Sequence, residues 1–138
     1  MSESVDISLS GEMSFEVELD GYKFEIDAHE EFGGANKGPR PKSLMLASIA
    51  GCTGMDVVSI LRKMKVMFDD FGIEVKGTLT GEHPKHFDTM HIIYKLKGKD
   101  IPVEKVEKAV NLSQDKYCGV TFSYKPTIEI THEIVIEE

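Results

Sequence analysis

Residues 39–68, PRPKSLMLASIAGCTGMDVVSILRKMKVMF, decide how this chain folds. The stretch opens with Pro39 and Pro41, which a helix tolerates only in its first turn, where an N–H has no intrahelical partner. From Ser43 to Phe68 no proline intervenes, and only Gly51 and Gly54 interrupt a run of helix-compatible residues. The pattern predicts a helix over 43–68, about 39 Å long at ~1.5 Å per residue. A compact chain of this size has a radius of gyration near ~14 Å, so such a helix crosses the whole domain. Its first half is apolar on nearly every side: Leu44, Met45, Leu46, Ala47, Ile49 and Ala50. A helix apolar all round is a buried one, which requires sheet wrapped around it or a second helix along it.

The segments on either side read as strands. Val5, Ile7 and Leu9, then Phe15, Val17 and Leu19, then Tyr22, Phe24 and Ile26 alternate with polar residues, the period-2 signature of half-buried strands. Asp20-Gly21 between the second and third runs is a tight hairpin signal. His29 to Gly38, with Gly33-Gly34 and Asn36, reads as a loop. Beyond the helix, Gly72 marks a stop, and Ile73, Val75, Gly77 and Leu79 alternate again. After a loop at Glu82 to Lys85, Met90, Ile92, Tyr94 and Leu96 complete an antiparallel hairpin with one wet face. Pro102 opens a second helix, with Val103, Val106, Val110 and Tyr117 on one stripe and Cys118-Gly119 at its end. From Thr127 onward Ile128, Ile130, Ile134 and Ile136 alternate in a final strand. The predicted order is βββ-α-ββ-α-β, an α+β fold with mostly antiparallel sheet in a single domain over 1–138.

Composition narrows the class. A chain of 138 residues with 41% hydrophobic content can bury a core, and its net charge of −8 disfavours nucleic acid and anionic membranes as partners. The N-terminus, MSESVDIS, has neither a basic nor an apolar stretch of the kind a secretion signal needs. No unbroken apolar run approaches the ~18 residues of a membrane span. Two cysteines, Cys52 and Cys118, do not make a disulfide scaffold. The expectation is a cytoplasmic globular protein with two thiols.

Those thiols are the only reactive pair on offer. A cysteine in an apolar helix is by default a small buried hydrophobe. Cys52 also lies well beyond the first helical turn, where the helix dipole would favour a thiolate. Asp56 follows one turn later, and a carboxylate facing the sulfur opposes loss of its proton. Against this, Gly51 and Gly54 each cost on the order of 1 kcal/mol in a helix interior, which suggests a close approach by another backbone or a ligand. The histidines are scattered: His83 and His86 form a loop pair, and no Cys-x-x-Cys or His-Glu-x-x-His spacing occurs. No cofactor or metal is implied.

The apolar run after GPRP, the block GCTGMDVVSILRKMK and the later KYCGV together resemble the OsmC/Ohr family, the osmotically inducible and organic hydroperoxide resistance proteins. The resemblance covers most of the chain. It implies an OsmC-like fold wrapped around a long buried central helix, in an intertwined homodimer. It also implies thiol-dependent reduction of organic hydroperoxides. Cys52 would attack the O–O bond and become a sulfenic acid, Cys118 would condense with it to a disulfide, and a dithiol reductant would restore both. The alternative is a non-catalytic module in which the same cleft binds a small apolar ligand or senses redox state.

Peroxidase members hold the thiolate with an arginine from the N-terminal half, paired to a glutamate near the start of the long helix. Here the only arginines are Arg40 and Arg62, and positions 41–44 read Pro-Lys-Ser-Leu with no acid. Arg40 and Lys42 are therefore the candidate activating cations, with Glu30 and Glu31 as candidate partners. Lys42 lies about 15 Å from Cys52 along a continuous helix, and Arg40 farther still. Cys52 is accordingly expected to react slowly with hydroperoxides unless a dimer partner brings a positive charge to it.

Overall fold

The computed structural model describes all 138 residues. It is an α+β fold with two three-stranded sheets and three helices, built as two compact units, residues 1–45 and 46–138. The first unit is the expected meander: β1 (Asp6–Leu9), β2 (Phe15–Leu19) and β3 (Tyr22–Ile26), paired antiparallel in that order. Ile7, Val17 and Phe24 lie directly across from one another, so the period-2 apolar positions share one face. Asp20 and Gly21 both take positive φ, 53° and 84°, as a two-residue hairpin turn of the I′ type requires. The loop that follows is tied down by Asp27, whose carboxylate accepts backbone N–H groups from Ala28, Ala35 and Lys37 at 2.7, 3.0 and 3.1 Å. These bonds, the one from Lys37 foremost, hold its carboxyl below the usual carboxylate range.

In the second unit β4 (Asp70–Leu79) pairs antiparallel with β5 (Phe87–Lys97), and β6 (Glu129–Glu137) lies parallel on β5's other side. Parallel neighbours need a crossover. Here it carries α2 (Val103–Leu112), a π-turn over Ser113–Tyr117 and α3 (Gly119–Tyr124). Met90, Ile92, Tyr94 and Leu96 of β5 are buried, with Val106, Ala109 and Val110 of α2 and Ile128. Gly72 lies within β4 and does not stop the preceding helix.

The long helix α1 spans Ser43–Lys63, five residues shorter than the pattern predicts. Its end is a Schellman motif without glycine. Lys65 takes the left-handed conformation at φ 60°, the Val66 N–H bonds to Leu61 O at 2.9 Å, and the Lys65 N–H bonds to Arg62 O at 3.1 Å. A lysine in the place usually held by glycine left no breaker for the sequence to display.

A single chain covers only part of α1. Within one chain it buries a single stripe, Ile49, Thr53, Val57 and Leu61, spaced four apart, and not every side. Met55 on its outer face is 77% exposed. By length and by a mean hydropathy of 1.8, α1 could cross a bilayer. Asp56 at its middle and Thr53 in a buried polar network mark it instead as a core helix with one face uncovered.

The second predicted helix is broken. Val106 and Val110 are buried as the stripe requires, but α2 ends at Leu112, and Tyr117 sits half-exposed in the π-turn. α3 and the parallel placement of β6 were not expected.

Candidate functional site

Cys52 precedes Thr53 of the buried α1 stripe, so its side chain emerges at the stripe's edge, half-buried. Asp56, one turn later, shares its face of the helix and is also half-buried. Cys118 comes from the crossover. It caps α3 in an extended conformation, and its sulfur accepts the Thr121 N–H at 3.4 Å. The Sγ atoms of Cys52 and Cys118 and a carboxylate oxygen of Asp56 all lie within 4.8 Å of one another. Both cysteines are free thiols. Two sulfurs 66 positions apart in sequence thus share one site with a carboxylate between the same elements.

The π-turn sets Cys118 in place. Its extra residue closes with the Cys118 N–H on Ser113 O at 2.7 Å, a five-residue span, and carries the chain out of helix before α3 begins. Cys118 is 3% exposed. Burial pushes its thiol up from the ordinary value, and the neighbouring Cys52 adds to this, while bonds from Thr121 oppose it.

Beneath the sulfurs lies a buried polar hub that no motif announced. Thr53 Oγ1 lies 2.7 Å from Tyr94 Oη and 2.7 Å from Ser113 Oγ, and the Gln114 amide donates to it at 3.1 Å. The same amide donates to Tyr94 Oη at 3.2 Å, and Thr121 donates to Gln114 Oε1 at 3.3 Å, which fixes the orientation of the amide. Ser113 donates to Asp56 Oδ2 at 2.9 Å. A carboxylate can only accept, so the single Ser113 proton is committed to Asp56. Ser113 must then accept from Thr53, and Thr53 from Tyr94. The donors therefore run in one direction, Tyr94 to Thr53 to Ser113 to Asp56, and end at the carboxylate beside the thiols. Burial raises the Tyr94 hydroxyl above its usual range, which keeps it a donor. Each of these side chains is an ordinary Thr, Ser, Tyr or Gln in sequence, and only the fold gathers them.

The glycines beside Cys52 behave differently from each other. A side-chain carbon on Gly54 would come within 3.0 Å of Ile73 Cδ1, whereas one on Gly51 would meet nothing within 4 Å. Close packing explains the first and not the second. Gly51, Gly54, Met55 and Val58 line a groove of about 660 Å³ with Phe71 and Ile73 of β4.

The candidate cations lie in the first unit. Arg40 is committed to its own loop, donating to Gly38 O at 2.8 Å and to Asn36 Oδ1, with His29 Nδ1 at 3.1 Å. Glu30 and Glu31 are exposed in the short 3-10 turn Glu30–Phe32 and make no ion pair with it, and Lys42 is exposed. Within residues 46–138 no lysine or arginine bonds to either sulfur or to Asp56. His83 and His86 are on an exposed loop and are not members of the thiol cluster.

Comparison with known proteins places this architecture. Protein YhfA of Escherichia coli K12 is 32% identical over 97 residues, which is 70% of this chain and 72% of that protein. The crystal structure of a hypothetical protein from Aquifex aeolicus is 32% identical, with a TM-score of 0.83 over 100% of this chain and 99% of that one. An organic hydroperoxide resistance protein from Legionella pneumophila shares the fold at 16% identity, with a TM-score of 0.71 over 98% of this chain and 97% of that one. The family model for OsmC-like proteins matches residues 34–133, and with the full-length fold likeness this establishes that the chain belongs to the OsmC/Ohr family.

Proposed function

We infer that this protein reduces organic hydroperoxides, with Cys52 as the attacking thiol and Cys118 as the resolving one. One observation carries the reading: the two sulfurs and Asp56 share a cluster no wider than 4.8 Å. Exposure assigns the roles, because half-buried Cys52 can meet a substrate that Cys118, at 3% exposed, cannot. Cys52 as thiolate attacks one oxygen of the O–O bond, releasing the alcohol and leaving a sulfenic acid. The Cys118 thiol displaces hydroxide from that sulfur, forming the disulfide and water. The balance is ROOH plus two thiols giving ROH, water and one disulfide, and a dithiol reductant returns the pair in the cytoplasm. Structural neighbours named as organic hydroperoxide resistance proteins, from Legionella pneumophila and Bacillus subtilis, lend the substrate class. The uncovered face of α1 supports a homodimer of one OsmC-like domain per chain, with a second copy seated on that face.

Asp56 favours a second reading. A carboxylate within reach of both sulfurs, and no lysine or arginine bonded to them from the same unit, disfavours a thiolate. The cleft would then bind a small apolar ligand or report redox state without turnover. Adding an organic hydroperoxide to the reduced protein separates the two. Loss of two thiols per chain within minutes, with repeated turnover once a dithiol is supplied, supports the reductase. Thiols that survive a large excess of hydroperoxide would overturn it.

A further inference from the structure

Cys52 and Asp56 stand one turn apart on the same face of α1, the i,i+4 placement that lets two side chains of one helix reach a common ion. Cys118 arrives from the crossover to face them, and the three ligating atoms lie within 4.8 Å of one another. In a tetrahedral zinc site, bonds of about 2.3 Å to sulfur and about 2.0 Å to oxygen place ligand atoms roughly 3.4–3.8 Å apart. Contraction by at most about 1.4 Å, within the reach of side-chain rotation, would complete three corners of such a tetrahedron. We propose that the reduced protein binds one zinc ion per chain through Cys52 Sγ, Cys118 Sγ and the Asp56 carboxylate, with water at the fourth position.

The surroundings are those of a ligand set and not of a chance cluster. Ser113 holds Asp56 Oδ2 at 2.9 Å, and Ser113 is itself held by Thr53, so the carboxylate is aimed from a buried anchor. The Thr121 N–H bonds to Cys118 Sγ. Bonds of this kind orient ligands in metal sites, and their loss typically costs about 10–100-fold in affinity. Charge points the same way. Two thiols and a carboxylate converge where no lysine or arginine of residues 46–138 bonds to them, and a divalent cation displacing the thiol protons would balance the negative charge the three ligands then carry. Paired thiolates select a borderline-soft metal such as zinc over magnesium or calcium. Three protein ligands with one position open is the arrangement of reactive zinc sites, not of closed structural ones. Cys52 and Asp56 are half-buried, which gives the ion a path from solvent.

The metal would occupy the same two sulfurs as the hydroperoxide reading but does not depend on it, since binding needs both thiols reduced and no oxidation of either. The test is an anaerobic titration of the reduced full-length protein with cobalt(II). The expected result is one equivalent bound with sulfur-to-cobalt charge-transfer absorption and the strong visible bands of a tetrahedral site, then mole-for-mole displacement by zinc(II). Cobalt on the exposed His83 and His86 would give no sulfur absorption. Cys52→Ser and Cys118→Ser should each abolish the one-equivalent band, Asp56→Asn should weaken binding at least about tenfold, and Ser113→Ala about 10–100-fold. Absence of the sulfur band at one equivalent would overturn the site. So would a band unchanged in either serine variant, or wild-type affinity in Asp56→Asn and Ser113→Ala together.

Discussion

Ser113 donates its hydroxyl proton to Asp56 at 2.9 Å across 57 positions of sequence, and this bond joins the buried hub to the carboxylate beside the thiols. Because that proton is committed, the hydrogens of Thr53 and Tyr94 have fixed directions too. The hub holds a charge in place and is not a set of interchangeable contacts.

Removing one member should therefore be costly. Tyr94→Phe deletes a hydroxyl bonded to Thr53 and Gln114 at a fully buried position and leaves both short of a partner. A loss of about 1–3 kcal/mol in unfolding free energy is expected, read by urea denaturation with the slope unchanged. A loss under half a kcal/mol would mean that water replaces the hydroxyl.

The two thiols should be distinguishable by access. Brief maleimide treatment of the reduced protein at neutral pH should label Cys52 first, because Cys118 is 3% exposed and Cys52 is half-buried. Peptide mass spectrometry after quenching checks the order. Equal labelling in the native state would contradict the burial of Cys118.

Alkali should loosen the fold. Burial raises the Cys118 thiol and the Tyr94 hydroxyl above their ordinary values, so each binds its proton more tightly folded than unfolded. Such groups contribute stability that is fully present below the unfolded pKa and is lost as pH rises through the folded one. The reduced protein's melting temperature should thus hold through neutral pH and fall once the pH passes the ordinary thiol range. Cys118→Ser should remove the earlier part of that fall, and Tyr94→Phe the later part.

The end of α1 offers a stabilising change. Lys65 holds φ 60° without glycine's freedom, a conformation disfavoured by about 1–2 kcal/mol for a residue with a Cβ. Lys65→Gly should raise stability by up to about 1 kcal/mol, the remainder being offset by the flexibility glycine adds to the unfolded chain. Thermal melts of the two proteins side by side measure it.

The uncovered face of α1 predicts association. Met55, 77% exposed, should meet a second copy, and light scattering should give twice the 15.4 kDa chain mass. Met55→Glu should shift the mass toward the monomer. A monomer mass for the unaltered protein at micromolar concentration would refute the homodimer.

What the sequence could show follows from where its signals lie. Alternation at Met90, Ile92, Tyr94 and Leu96, the Asp20-Gly21 turn and the long apolar helix are local patterns, and each element appears at its pattern, the helix ending five residues early. The Schellman end at Lys65 was hidden because its residue type argues against its conformation. The parallel seat of β6 was hidden because strand partners are chosen by the whole core. In the candidate site the two cysteines stood out as the only thiols. Asp56 was visible one turn from Cys52, but its anchor was not: Thr53, Tyr94, Ser113, Gln114 and Thr121 acquire their roles only once burial denies them water.

The π-turn over Ser113–Tyr117 holds one residue more than an α-helical turn would, which makes the pairing of the thiols sensitive to chain length. Each residue of an α-helix advances the side-chain direction by about 100°. Deleting Asp115 or Lys116, both exposed, would let α2 run on in regular α-helix and swing Cys118 away from Cys52 by roughly that angle, with every side chain of the site retained. The meeting of the two sulfurs is thus written as a count of residues as much as a choice of them, and an insertion or deletion here would uncouple the thiols while leaving both cysteines in plain view.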